Sequence, residues 1–184
     1  GLAAPLIVRS ADDPLEMLLY TVFQERATQV NYQNLRLAAE GKSEKAELRV
    51  DHDPVLVEVA KAIANDELAH FEFYLAAAQI YLYYFPERTL RAMSRVLALF
   101  QMPAADIIPD YGPFIDALYG AGLFGRRIYV RDVVQLVKLR LGVRDAKALE
   151  RHIKAARPQT DPANLERLPG PGELFDFEVV QHSM

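Results

Sequence analysis

The sequence predicts an all-α protein built as a helix bundle. Two observations carry this. Long stretches keep an apolar pattern at helical spacing, and two of them open with an acidic residue followed by proline, at Asp13-Pro14 and Asp53-Pro54. A third observation gives the bundle its chemistry. Glu67 and His70, in Asn65-Asp66-Glu67-Leu68-Ala69-His70, are three apart in the middle of an apolar helix pattern and project from one face. Ile63, Tyr74, Ala77 and Tyr81 continue that face, which predicts that it looks into the core. Charge on a core-facing stripe needs a partner, and Glu-x-x-His is the pair with which bundle proteins hold two irons.

The first helix is predicted from Pro14 to Glu40, ended by Gly41. At 1.5 Å per residue it is roughly 40 Å long. Leu15, Leu18, Leu19, Val22, Arg26, Gln29 and Gln33 mark one side, and Phe23, Ala27, Val30, Asn34 and Leu37 its neighbour. Glu25, Thr28 and Tyr32 share a further stripe. Residues 42–53 are charged and read as an exposed loop or frayed end. The second helix runs from Val55 to about Phe85. A short polar connection implies antiparallel neighbours, which brings Glu25 toward Glu67 and His70.

Pro86 opens a third helix, with Leu90, Met93, Leu97 and Phe100 inward, broken at Met102-Pro103. Prolines and glycines punctuate residues 109–125 and leave a short helix over Pro113 to Tyr119. Asp132 reads as the cap of a helix from Val133 to Leu141, stopped by Gly142, and Asp145 as the cap of another from Ala146 to Ala156. Beyond Pro158 the chain is rich in proline and glycine. Within it, Phe175 to Val180 alternates like a short strand. The expected division is a helical domain over residues 1–157 and a tail over 158–184.

Composition narrows the function. With 184 residues, 51% hydrophobic and 25% charged, the chain is an ordinary globular domain. Its net charge of −4 and lack of a basic run argue against nucleic acid. The absence of cysteine excludes a disulfide, a thiolate metal site and a cysteine nucleophile, and fits a reducing compartment. No apolar run approaches the roughly 18 residues of a spanning helix. The N-terminal apolar stretch is too short for a signal peptide, so the expected location is cytoplasmic.

Phe23-Gln24-Glu25-Arg26-Ala27-Thr28, then Asn65 to His70, then Phe100-Gln101-Met102-Pro103, resemble the soluble acyl-[acyl-carrier-protein] desaturases. The resemblance spans roughly Leu15 to Leu141 and implies a ferritin-like di-iron bundle. It makes Glu25 a terminal iron ligand, His70 the imidazole on the same iron, and Glu67 a carboxylate bridging both irons. It makes Asp66 the hydrogen-bond acceptor behind the other iron's histidine, and Thr28 the active-site threonine. It implies dioxygen, a ferredoxin-type electron donor, an acyl chain on acyl carrier protein, and a homodimer. Two upstream ligand helices of the family, with a further glutamate and a Glu-Glu-Asn-Arg-His motif, have no counterpart here. His52, His152 and His182 have no glutamate three residues before them. The chain therefore offers three of six ligands and the last two bundle helices plus C-terminal helices. The expectation is the C-terminal part of a longer enzyme, with uncovered apolar faces on both long helices.

Other readings stand beside these. Glu67 and His70 also suit a structural hydrogen-bonded pair. Thr28 also suits a bond to the carbonyl one turn earlier, and Asp66 an exposed charge. Arg26 suits either a carboxylate partner or a snorkelling stem. Phe23, Met93, Phe100 and Met102 suit an acyl slot or plain core. Arg126, Arg127 and Arg131 suit an acidic carrier protein or a solvated face. A hydroxylase or N-oxygenase on the same scaffold, and a non-catalytic helical protein, are the alternative functions.

Overall fold

The computed structural model describes residues 13–43, 52–100 and 109–143. Among these it is all helix. The elements are α1 (Pro14–Ala39), α2 (Pro54–Tyr84), α3 (Pro86–Leu99), α4 (Tyr111–Gly120) and a last helix, α5. The last of these is continuous but mixed. It consists of Arg126–Ile128, a π-helical turn over Tyr129–Val134, and Gln135–Arg140.

Local chemistry sets the ends of the long helices. The Asp13 carboxylate accepts from the Leu15 N–H at 3.0 Å, and Pro14 follows at the first helical position. Asp53 repeats the device, accepting from Val55 and Leu56 at 3.1 and 3.0 Å. Gly41, at φ 70°, takes the left-handed conformation that ends α1. The Asp53 N–H donates to the Ala39 carbonyl at 3.1 Å, so the end of α1 touches the start of α2. From that junction the two helices run back along each other.

The core lies between α1 and α2 and is closed by α3 and α5. Leu19, Val22, Phe23 and Ala27 of α1 are fully buried, as are Ala60 and Ala78 of α2. Phe71 and Leu75 are 1% exposed. Ala92 comes from α3, and Val133 and Val137 from α5. Tyr20, Phe100, Tyr129 and Phe124 form a run of ring contacts with centroids 5.5, 4.8 and 6.4 Å apart in succession. Phe23 and Met93 are core, while Met102 lies outside the described residues. Asp13 takes a hydrogen bond from Arg88 at 3.1 Å, and Glu16 pairs with Arg95, which ties α3 to the start of α1.

Two expectations change. The buried stripe of α2 is Val57, Ala60, Ala64, Phe71, Leu75, Ala78 and Leu82. It is rotated from the stripe expected through His70 and Tyr81, both of which are exposed. The reason is packing: this stripe is wholly apolar, and its alanines let α1 approach closely. Asp132 caps no helix, since α5 already starts at Arg126. Its carboxylate binds Arg131 at 2.7 and 2.6 Å, and its carbonyl accepts from Arg26 Nε at 3.0 Å. Gly142, at φ 69°, follows the end of α5 as expected. The short helix expected near Pro113 is α4. The helix expected over Ala146 to Ala156, the strand over Phe175 to Val180 and the tail lie outside the described residues.

Arg26 crosses from α1 to α5. Its guanidinium stands 5.9 Å from the centre of the Phe71 ring and bonds Gln29. Burial acts against its charge, and Asp132 and Glu72 act for it. Glu72 in turn binds Arg140 through both oxygens, at 2.8 and 2.5 Å. The Gln79 side chain adds a hydrogen bond to the Arg140 carbonyl at 3.0 Å. These polar ties fix α5 against the helix pair.

Candidate metal centre

Glu25 lies fourteen residues before Ala39, and Glu67 fourteen after Asp53. Helices that fold back from the Ala39–Asp53 contact therefore bring these positions level, because each residue adds the same rise. The side chains do meet. His70 Nδ1 is 3.4 Å from a Glu25 carboxylate oxygen and 3.7 Å from one of Glu67. One ligand atom from each of the three residues lies within 4.8 Å of the others.

The trio sits at an edge of the helix pair. Glu25 is 12% exposed and Glu67 18%, whereas His70 is 59% exposed. The carboxylates are thus set back toward the core and the imidazole faces outward. Burial first, and then the neighbouring Glu25 carboxyl, raise the Glu67 carboxyl to about 7 against the opposite pull of His70. Two carboxylates held together at partial burial repel each other, and a cation between them removes that cost.

The donor chemistry fits iron. Carboxylate oxygen and imidazole nitrogen are hard-to-borderline ligands, suited to a divalent metal that keeps open positions. No other group of three or more such donors meets these limits among the described residues.

The other sequence candidates fall around this trio. Thr28 is one turn after Glu25, and its hydroxyl donates to the Gln24 carbonyl at 3.0 Å. Asp66 is exposed and makes no hydrogen bond or ion pair among the described residues. His52 is exposed at the start of α2, far along the helix from the cluster. Arg126, Arg127 and Arg131 line a cavity, and its other basic member, Lys42, was not singled out by the sequence. Only proximity in the folded chain joins Lys42 to them.

Beyond the trio, the outer face of α2 is apolar in places and open. Val55 is 72% exposed, Val59 49% and Phe73 69%. Among the described residues no helix is long and apolar enough to cross a membrane.

The protein-family model described as fatty acid desaturase matches residues 2–168. A protein of Mycobacterium tuberculosis provisionally named acyl-[acyl-carrier-protein] desaturase DesA1 is 25% identical over 127 residues, in each of two strains. The match covers 69% of this chain and 34% of that protein. The chain therefore spans about a third of the length of the curated relatives it matches. No solved structure matches significantly.

Proposed function

The chain belongs to the fatty acid desaturase family, and from that premise we propose that it contributes half of the di-iron cage of an acyl-[acyl-carrier-protein] desaturase. The observation that carries the reading is the meeting of Glu25, Glu67 and His70 across two helices. The name of the mycobacterial relative supports the carrier-bound acyl substrate.

In this reading Glu25, Glu67 and His70 would hold iron. When bound, the iron would supply dioxygen chemistry: with two electrons from an external donor and two protons, dioxygen would take two hydrogens from adjacent carbons of the acyl chain and leave as two waters, giving a cis double bond. The chain's own residues prepare that step. The Glu67 carboxyl, with its value near 7 in the absence of metal, gives up its proton as a cation arrives. The Thr28 hydroxyl, anchored to the Gln24 carbonyl, holds a transferable proton one turn from Glu25. Asp66 would accept a hydrogen bond from a further metal-ligating histidine. Remaining ligands come from further helices laid over the open face of α2, which also exclude water from His70. A ferredoxin-type protein supplies electrons, and a homodimer in the cytoplasm is the expected form.

The test is product analysis. The iron-reconstituted protein is incubated with a saturated acyl chain on acyl carrier protein, a reduced ferredoxin and dioxygen, and its fatty acids are separated. A monounsaturated product that disappears in Glu25→Ala supports the reading. An iron-replete protein that leaves the chain saturated rejects it in favour of another oxygenase on this scaffold. A protein that takes up no iron, with the mass of the 184 residues, makes the chain a non-catalytic helical unit.

A further inference from the structure

A second concavity lies on the other side of the molecule. It is a cavity of about 570 Å³ between the end of α1, the turn after α4 and the start of α5. Four cations line it: Lys42, Arg126, Arg127 and Arg131. No carboxylate lines it among the described residues. Its remaining wall is mostly apolar, with Leu37, Leu123, Phe124 and the Tyr119 ring.

The cavity is separate from the metal centre. Asn34, in its lining, is nine residues beyond Glu25, which places it about 14 Å further along α1 and on the opposite face. The walls are held in place. Asn34 donates from its side chain to the Leu123 carbonyl at 2.8 Å, pinning the turn to α1. Gly122 at φ 67° and Gly125 at φ 155° take backbone conformations that side chains resist, and Gly125 delivers the chain into Arg126 and Arg127.

The four cations differ in what they already hold. Arg131 is bound through two nitrogens to Asp132, and Lys42 is 2.9 Å from Glu40. Arg126 and Arg127 are exposed and form no ion pair among the described residues. Like charges drawn around one cavity, two of them without a counter-charge there, repel one another until an anion arrives. Guanidinium forks match the oxygens of phosphate. The apolar wall suits an uncharged body attached to that phosphate.

We propose that this cavity is a binding site for a phosphate ester, with Arg126 and Arg127 on the phosphate and the Leu37–Tyr119–Leu123–Phe124 wall on the rest of the ligand. The proposal is independent of the iron chemistry.

Titration calorimetry of the 184-residue chain tests it, with inorganic phosphate, phenyl phosphate and phenol as probes. Phenyl phosphate should bind saturably and more tightly than inorganic phosphate, with phenol weakest. Arg126→Gln/Arg127→Gln should weaken phenyl phosphate by at least about tenfold, and Lys42→Gln by less. Arg88→Gln, in α3, should leave it unchanged. Both arginine side chains are exposed, so the fold should survive. Circular dichroism checks this, and the single variants stand in if the double one fails. Equal affinity for phosphate and phenyl phosphate would leave an anion site without its apolar subsite and overturn the ester assignment. Absence of saturable binding, or binding that ignores the arginine substitutions, would overturn the proposal entirely.

Discussion

Phe71 and Phe73 stand two residues apart on α2 and meet opposite fates. Phe71 is 1% exposed, packed in the core, with Arg26 over its ring. Phe73 is 69% exposed and lies on the open face with Val55 and Val59. One face of the helix pair is closed by α3 and α5, which follow in the same chain. The other is apolar in places but, among the described residues, uncovered, and His70 opens toward solvent beside it. The contrast separates two jobs. Hydrophobic burial on one side makes the fold, and the other side presents the Glu25–Glu67–His70 edge, open among the described residues.

The sharpest way to break this contrast is to truncate the two phenylalanines. Phe71→Ala should cost about 3–5 kcal/mol, because it leaves a cavity in packed surroundings. Phe73→Ala should stay within about 0.5 kcal/mol, the usual range for a surface change. Urea unfolding of both variants decides, and equal losses would mean that the outer face is covered in solution.

Metal uptake comes next. Ferrous iron should raise the melting temperature of the chain, since only the folded form brings Glu25, Glu67 and His70 together. Glu67→Gln or His70→Ala should weaken iron binding by more than the roughly ten- to hundredfold seen on removing a residue behind a ligand. Neither change should disturb the core, because both residues lie at the edge. A variant that binds iron like the parent would remove the trio from the metal's coordination.

A smaller effect is pH dependence without metal. The folded Glu67 carboxyl, at about 7, lies above its ordinary 4.5. The folded chain thus holds this proton more tightly than the unfolded chain between those values. The favourable contribution is complete below about pH 4.5 and is lost as pH rises through 7. Glu67→Gln removes the titration, so this variant should gain on the parent between pH 5 and pH 8 in metal-free denaturation. Parallel curves would mean that Glu67 is solvated in the free protein.

The smallest effect belongs to the helix starts, which serve both faces alike. Asp53→Ala removes the acceptor for the Val55 and Leu56 amides and should cost about 1 kcal/mol.

The sequence made some of this legible and left some of it out of reach. Asp-Pro starts and the Gly41 stop are local signals, and they set the bounds of α1 and α2 to within a residue or two. The approach of Glu25 to Glu67 and His70 was legible too, because equal distances from one turn are written in the spacing. The exposure of His70 was not. It depends on which of two adjacent stripes α1 selects, and Phe71 with Leu75 outcompetes the stripe that carries the histidine. The start of α5 was misread at Asp132 because aspartate is a common cap. Its true role, a carbonyl for Arg26 and a carboxylate for Arg131, comes from contacts made 106 positions apart or inside an existing helix.

The π-helical turn over Tyr129–Val134 has a consequence for how this chain tolerates insertions and deletions. A π turn is a helix that has taken in one extra residue. Removing a single residue there would let an ordinary helix form with the residues after it still on their present face, because the wide turn already absorbs the extra position. Val137 and Leu141, now buried, would stay on the core, and the Arg140 fork would stay on Glu72. A one-codon deletion in this turn should therefore be milder than the same deletion in the α-helical part of α5, where everything downstream would turn by roughly 100° about the axis.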